Sequence, residues 1–217
     1  TQANTGFKIL VNVSYVNSIH VIWRIGTNNL QAWIKAAEAA LATDDEELYI
    51  GIVNYDVNSA NGQQRELGFR QTVEQDPRVK NITTINVLST TEDARAGAKE
   101  MLLSDSRINV VVTFNEWTSL GVGWAIRDLN RADRIQVVAF DSNVVSVGML
   151  ETGEVDALIV QNPYAMGYLG VETAANLMNG QTGGPSVVDT ATTIVTRENM
   201  YEPESQKILF SFEEEGY

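Results

Sequence analysis

The sequence predicts an α/β fold, in which a doubly wound parallel sheet lies between two layers of helices. Short apolar runs recur along the chain, and several are continuous, as in strands that are buried on both faces. Segments with helical spacing separate these runs, which predicts βαβ units with right-handed crossovers. Ligands of such sheets bind beyond the carboxyl ends of the strands, so the residues that follow each run are the candidates for a site.

Strands and helices are expected to alternate in the following order. The apolar runs place strands at residues 7–13, 21–26, 48–55, 82–88, 108–114, 135–140, 157–160 and 191–196. Helical spacing is clearest in the stripe formed by Leu30, Trp33, Ile34, Ala37 and Leu41. Further helices are predicted at residues 67–73, 94–103, 119–129 and 166–178, and a short one ends near residue 150.

Composition argues against several classes of function. The net charge of -13 and the pI near 4.4 disfavour nucleic acid and anionic membrane surfaces as partners, because both would repel the chain. The absence of cysteine removes disulfides, zinc–thiolate sites and thiol catalysis. His20, the one histidine, lies in strand-like sequence and is expected to be structural, so no metal site and no cofactor is predicted.

Polar side chains follow successive predicted strands. Asn115 follows the run 108–114, Asp141 follows 135–140, and Gln161 follows 157–160. Arg65 lies in the helical segment after the strand at 48–55. These side chains supply directional donors and acceptors but neither a nucleophile nor a base that titrates near neutral pH. Such a set is suited to a ligand with many hydroxyl groups, and catalysis is not expected.

Each of these residues also has a purely structural interpretation. Asn115 would cap a helix beginning near Trp117, and Asp141 with the two residues after it would cap the next helix. Gln161 would end a strand, and Arg65 would be a solvated helix residue. Trp117 would either stack on a sugar ring or pack at the start of its helix. Four polar groups at successive strand ends of one sheet favour a binding site over these separate interpretations.

Several motifs in the chain resemble one known family. The segments are "NSANGQQRELGF", "VVTFNEWTSLGVGWAIRDLNRA", "VVAFDSN" and "VDALIVQNPYAMGYLGVETAANLMNG". They look like the carboxyl-side half of type I periplasmic binding proteins, most of all the ribose/galactose-type sugar-binding proteins of ABC importers. Those proteins are related to the effector domains of LacI-type repressors. The resemblance runs from Arg24 to Met200.

The resemblance implies a role for each candidate residue. In the family, an aspartate accepts two sugar hydroxyls, an arginine donates in a fork, and an asparagine and a glutamine bind the remaining hydroxyls. By motif, these roles fall on Asp141, Arg65, Asn115 and Gln161. The implied ligand is therefore a small-molecule sugar.

The resemblance also implies a hinge, because the family's chain passes between two lobes three times. One crossing is expected at Asn162 and Pro163, where the proline would fix the backbone, and the others near Ser14 and near Asp189. Residues 21–161 with 191–217 would form the ligand-binding lobe. Residues 1–20 with 162–190 would form the hinge crossings and the remnants of the first lobe.

Further expectations follow from the small size of that first lobe. The chain would be a truncated or processed form that binds sugar weakly or undetectably alone and self-associates through its incomplete lobe. The resemblance implies a periplasmic or other extracytoplasmic location and a membrane permease of an ABC importer as partner. No apolar segment approaches the roughly 20 residues that cross a bilayer.

Two other functions remain as alternatives. A sugar-sensing effector domain of a LacI-type regulator or of a membrane receptor would have the same fold. An enzyme of the doubly wound class is disfavoured, because neither GxGxxG nor GxxxxGK[ST] occurs where a nucleotide site needs it. The glycines at Gly121 and Gly123 lie inside a helical pattern, not after a strand.

Overall fold

The computed structural model describes residues 9–12, 21–180 and 187–210, in which strands and helices alternate. The strands are β1 (Ile9–Asn12), β2 (Val21–Thr27), β3 (Leu48–Asn54), β4 (Val79–Asn86), β5 (Val110–Thr113), β6 (Gln136–Phe140), β7 (Ala157–Val160), β8 (Val187–Thr190) and β9 (Thr193–Thr196). The helices are α1 (Asn29–Leu41), α2 (Ala60–Val73), α3 (Thr91–Ser104), α4 (Glu116–Leu129), α5 (Val144–Thr152), α6 (Pro163–Met178) and α7 (Pro203–Leu209).

A six-stranded sheet forms the centre of the larger part of the molecule. Its strand order is β4-β3-β5-β6-β7-β9, and every neighbouring pair is parallel except β7 with β9. β9 is antiparallel because the chain enters it at the carboxyl edge, where Thr193 pairs with Val160, without a crossover helix. The predicted doubly wound α/β class is confirmed, with one antiparallel edge strand as the departure.

Helices cover both faces of this sheet and bury one apolar cluster on each. Along β5, Val110 and Val112 belong to the cluster beneath α1 and α2, whereas Val111 belongs to the cluster beneath α3 and α4. Successive strand residues point to opposite faces, so a strand covered on both sides must be apolar throughout. The continuous apolar runs of the sequence have this cause.

A second, three-stranded sheet lies beside the first and corrects the expected lobe boundary. Its order is β1-β2-β8, all parallel, and α6 packs against β1 and β2. Residues 21–27 therefore belong with the small sheet, not with the large lobe in which the sequence placed residues 21–161. The run "VIWRIG" is apolar enough for either sheet, and only its pairing with β1 and β8 decides between them.

No helix among the residues that the structure describes is both long enough and apolar enough to cross a membrane.

Candidate functional site

Asp141 lies at the carboxyl end of β6, at the edge of the large sheet. Its φ of 65° is left-handed, a conformation that asparagine and aspartate adopt more readily than other side-chain-bearing residues. The Asp141 carboxylate accepts hydrogen bonds from Gln161 Nε2 and from the backbone N–H of Glu116 in the first turn of α4. Because the amino terminus of a helix favours negative charge, the start of α4 interacts favourably with this carboxylate.

Burial raises the pKa of the Asp141 carboxyl above its ordinary value. The charge of Arg65 and the hydrogen bond from Gln161 oppose this effect, while the nearby carboxylate of Glu116 adds to it. Desolvation is the largest of these effects on the pKa, so the ionised carboxylate of Asp141 is stabilised less by the protein than it would be by water. Such a carboxylate is a strong acceptor for hydroxyl groups that enter the site.

Arg65 reaches the same edge of the sheet from α2 and is only 6% exposed. It donates to the backbone carbonyl of Phe114, and its Nη2 lies 3.4 Å from Gln161 Oε1. The guanidinium carbon lies 5.1 Å from the centroid of the Phe140 ring, a cation–π contact. Arg65 Nε has no hydrogen-bond partner among the described residues. This N–H is also inaccessible to solvent, so the buried guanidinium is incompletely hydrogen-bonded within the protein.

Gln161 joins these two charged groups. Its Oε1 accepts from Arg65 and from the Thr27 hydroxyl, whose Oγ1 lies 2.5 Å away, while its Nε2 donates to Asp141. The residue is more than the end of β7, because its carboxamide bridges the arginine and the carboxylate. The structure therefore brings together three of the four residues that the sequence singled out.

Asn115, the fourth residue, lies at the same sheet edge but has a structural role as well. It caps α4: its Oδ1 accepts from Thr118 N at 2.9 Å, and its Nδ2 donates to Ser89 Oγ at 2.7 Å. One N–H of the carboxamide is left for a ligand. Trp117, two residues further on, is 48% exposed and therefore not the packed tryptophan of the alternative interpretation.

Glu116, between these two residues, has no counterpart among the sequence predictions. Its backbone N–H donates to Asp141, and its carboxylate accepts from Asn143 Nδ2 at 2.6 Å. Asn143, not Asp141, caps α5 through a capping box with Ser146. Capping therefore does not account for Asp141. Nothing in the sequence singles out Glu116, because its contact with Asp141 is made by the backbone.

The crossings between the two sheets lie next to this site. Asn162 caps α6 through its Oδ1, which accepts from Ala165 N at 2.9 Å, and Pro163 is the first residue of that helix. Asp189 lies in β8 and forms an ion pair of 2.9 Å with Arg24 of β2. Asp189 therefore braces the small sheet just before the crossing.

Ser14 and His20 lie outside the described residues, so the crossing expected near Ser14 stays a prediction. A crossing that the structure describes follows β2, which belongs to the small sheet, and the chain passes there to the large part at Thr27 and Asn28. The backbone N–H of Asn28 donates to the carbonyl of Thr190 at 3.2 Å, which holds this crossing beside the one after β8.

Two concavities lie at opposite edges of the large sheet. One, of about 530 Å³, lies beyond the carboxyl ends of β3 and β4; Ser89, the partner of Asn115, lines it, but none of the four candidate residues does. A larger one, of about 780 Å³, lies at the amino edge and is lined by acidic residues such as Asp45 and Asp156. The volume alone does not select the site; the converging donors and acceptors at the carboxyl edge do.

A doubly wound sheet joined to a smaller sheet by adjacent crossings, with polar side chains at the strand ends, is typical of two-lobed binding proteins. The chain belongs to the periplasmic binding protein domain family, which matches residues 6–182. A D-ribose/D-allose-binding protein of Pseudomonas aeruginosa is 28% identical over 150 residues, which are 68% of this chain and 47% of that protein. The aligned part thus spans about half of that relative.

Solved structures give the same result. A carbohydrate transporter solute binding protein from Agrobacterium radiobacter, in complex with D-arabinose, matches with a TM-score of 0.90 and 27% identity, over 96% of this chain and 72% of the other. A sugar-binding protein of a sugar ABC transporter from Bacillus halodurans matches with a TM-score of 0.84 and 26% identity, over 92% and 72% of the two chains. The resemblance stated from the motifs is confirmed.

Proposed function

We propose that this chain is the ligand-binding part of a solute-binding protein, which binds a monosaccharide or similar polyol for ABC-type import without catalysing a reaction. One observation carries the proposal: Gln161 joins a buried guanidinium and a half-buried carboxylate at the carboxyl edge of the sheet. Family membership and the binding functions named for the relatives support it. The same membership supports an extracytoplasmic location and a membrane permease as partner.

The proposed site would hold a sugar by matching each hydroxyl to a fixed group. Asp141 would accept from two hydroxyls, and Arg65 would donate through the terminal N–H groups of its guanidinium. Asn115 and Gln161 would complete the set. Trp117 would lie against the apolar face of the ring. Because the carboxylate and guanidinium are already oriented by the fold, little ordering cost would fall on binding.

A titration followed by nuclear magnetic resonance tests this function, since it detects binding in the millimolar range expected of the chain alone. D-ribose, D-allose and D-arabinose are added to the ¹⁵N-labelled chain. At least one sugar is expected to shift the resonances of Glu116, Asp141 and Gln161. Asp141→Ala should weaken binding by about tenfold to a hundredfold, the effect of losing hydrogen bonds to a charged group.

A second half-buried carboxylate supplies the control. Asp156 lies at the amino edge of the same sheet, where it accepts from Val137 N at 2.8 Å, and burial also raises its pKa. Asp156→Ala should leave sugar binding unchanged. The proposal is wrong if no sugar in a wide monosaccharide panel shifts these resonances, or if both alanine variants weaken binding equally.

We also propose that the chain self-associates through the exposed apolar face of α6, formed by Tyr164, Tyr168 and Val171. These side chains are 56%, 58% and 73% exposed, and the two tyrosine rings stack with centroids 6.4 Å apart. Such a contiguous patch is unusual on a monomer, and a second copy would cover it. Sedimentation should show a dimer that Tyr164→Ser disrupts and that Tyr201→Ser, on another exposed tyrosine, leaves intact. A monomer at high concentration would contradict this.

A further inference from the structure

Gln161 must be held in one orientation for the candidate site to work. The terminal torsion of a glutamine is broad, so its carboxamide takes a fixed direction only when its neighbours impose one. Here Nε2 faces the Asp141 carboxylate because donors occupy the other side of the carboxamide, at Oε1. The residues that supply those donors decide which way the amide points.

Of the two donors, Thr27 makes the closer contact. Its Oγ1 lies 2.5 Å from Gln161 Oε1, whereas Arg65 Nη2 lies 3.4 Å away, beyond the usual range for N–H···O bonds. Thr27 is 4% exposed, so water does not compete for its hydroxyl. The Thr27 contact therefore contributes more than Arg65 to holding the carboxamide.

Thr27 also connects the site to the other sheet. It is the last residue of β2 in the small sheet, whereas Gln161 follows β7 in the large one. Two of the crossings between the sheets thus touch through a side chain that contacts Asp141. Any rotation of one sheet against the other would act on this hydrogen bond.

We propose that Thr27 is a positioning residue of the candidate site, which orients the Gln161 carboxamide towards Asp141 from the neighbouring sheet. Its effect on sugar affinity rests on the function proposed above, whereas its effect on Gln161 does not. The two effects are therefore measured separately.

Three substitutions separate the hydroxyl of Thr27 from its shape. Thr27→Val keeps the shape and removes the hydroxyl, and Thr27→Ser keeps the hydroxyl. Thr190→Val is the matched control: Thr190 is another threonine beside a crossing, 6% exposed, and its hydroxyl donates to the Gly26 carbonyl at 3.2 Å. Thr27→Val and Thr190→Val each remove one buried hydroxyl, so urea unfolding should show similar losses of stability for the two.

The first readout is the ¹⁵N relaxation of the Gln161 side-chain amide, without any ligand. The wild-type order parameter should be high, and Thr27→Val should lower it to below about 0.6, the range of flexible groups. Thr27→Ser should restore it and Thr190→Val should leave it unchanged. An unchanged Gln161 order parameter in Thr27→Val overturns the proposal, whatever the sugar titrations show.

The second readout is affinity for the sugar that shifts the wild-type resonances most. Thr27→Val should weaken binding by about threefold to tenfold, the effect of losing one neutral hydrogen bond. In a Gln161→Ala background the same substitution should have no further effect, because Thr27 acts through Gln161. An additive loss in that background would overturn the proposal. If no sugar binds the wild type, the proposed function fails, and the relaxation result still decides the role of Thr27.

Discussion

Gly121→Ala should destabilise the protein, although alanine is the better helix former. Gly121 lies where α4 crosses α3, and a methyl group there would lie 2.4 Å from Ala94 Cβ and 2.7 Å from both Arg95 N and Thr91 O. Carbon atoms in contact are ordinarily about 3.5–4.0 Å apart, so the helices would have to separate by about 1 Å. Two of the obstructing atoms belong to the backbone, so no side-chain rotation removes the clash.

The expected loss in the free energy of unfolding is the cost of the steric clash minus the gain in helix propensity. Overpacking of this kind costs about 1–3 kcal/mol, and replacing glycine by alanine in a helix returns about 1 kcal/mol. We therefore expect a net loss of up to about 2 kcal/mol, which for a chain of this size lowers the melting temperature by up to about 8 °C. Urea unfolding measures the loss directly through the midpoint at constant m-value.

Gly148→Ala is the matched control, because Gly148 also lies inside a helix but has nothing within 4 Å of the added methyl group. This variant should be as stable as the wild type or more stable by up to about 1 kcal/mol. If Gly121→Ala proves as stable as Gly148→Ala, the close approach of α3 and α4 is wrong. The test also bears on function, since it assigns Gly121 to helix packing and not to a nucleotide-binding loop.

Two further predictions concern pH. Burial raises the pKa of Asp141 above its value of 3.8 in the unfolded chain, so its ionisation costs stability as the pH rises through the folded pKa. Asp141→Asn should therefore be more stable than the wild type in urea at pH 7, with a difference that disappears below about pH 4; equal curves at pH 7 would contradict the desolvation. Arg95 and Lys99 lower the pKa of Asp128 to about 2, so its contribution to stability is present above pH 3.8 and is lost as the pH falls towards 2. A carboxyl-carbon titration should give that midpoint, and Arg95→Gln should raise it; a midpoint near 3.8 in the wild type would refute the pairing.

Much of the fold could be predicted from the sequence because buried parallel strands are apolar on both faces. Continuous apolar runs are sufficient to recognise β3, β5, β6 and β7. The carboxyl ends of parallel strands share one edge of the sheet, which places Asn115, Asp141 and Gln161 together at that edge. β8 could not be found in this way, because the exposure of "VVDT" varies along the strand and Asp189 forms an ion pair with the distant Arg24.

The remainder of the site depends on partners that are distant in the chain. Thr27 contacts a side chain 134 positions away, and a threonine at the end of a strand carries no local signal of such a role. The same limit explains why residues 21–27 were expected in the large lobe, since the sheet to which β2 belongs depends on its pairing. The local sequence pattern specifies each strand and helix and where it ends. Pairing between strands that are distant in the chain specifies which of those ends lie together.

The hydrogen bonds within the candidate site bear on which ligands it can accept. Gln161 is hydrogen-bonded to Asp141 and contacts Arg65, so a sugar hydroxyl would exchange hydrogen bonds with this group and each exchange would gain only about 0.5–1.5 kcal/mol. A ligand with one hydroxyl that displaced Gln161 from Asp141 would leave Nε2 unpaired, at a cost of about 1–3 kcal/mol. A ligand with several adjacent hydroxyls can accept from the freed carboxamide while it donates to the carboxylate. If the proposed function holds, the site would favour polyols over simple alcohols, because incomplete replacement of these hydrogen bonds carries a penalty. Affinity should then fall steeply when one of the adjacent hydroxyls is removed from the sugar.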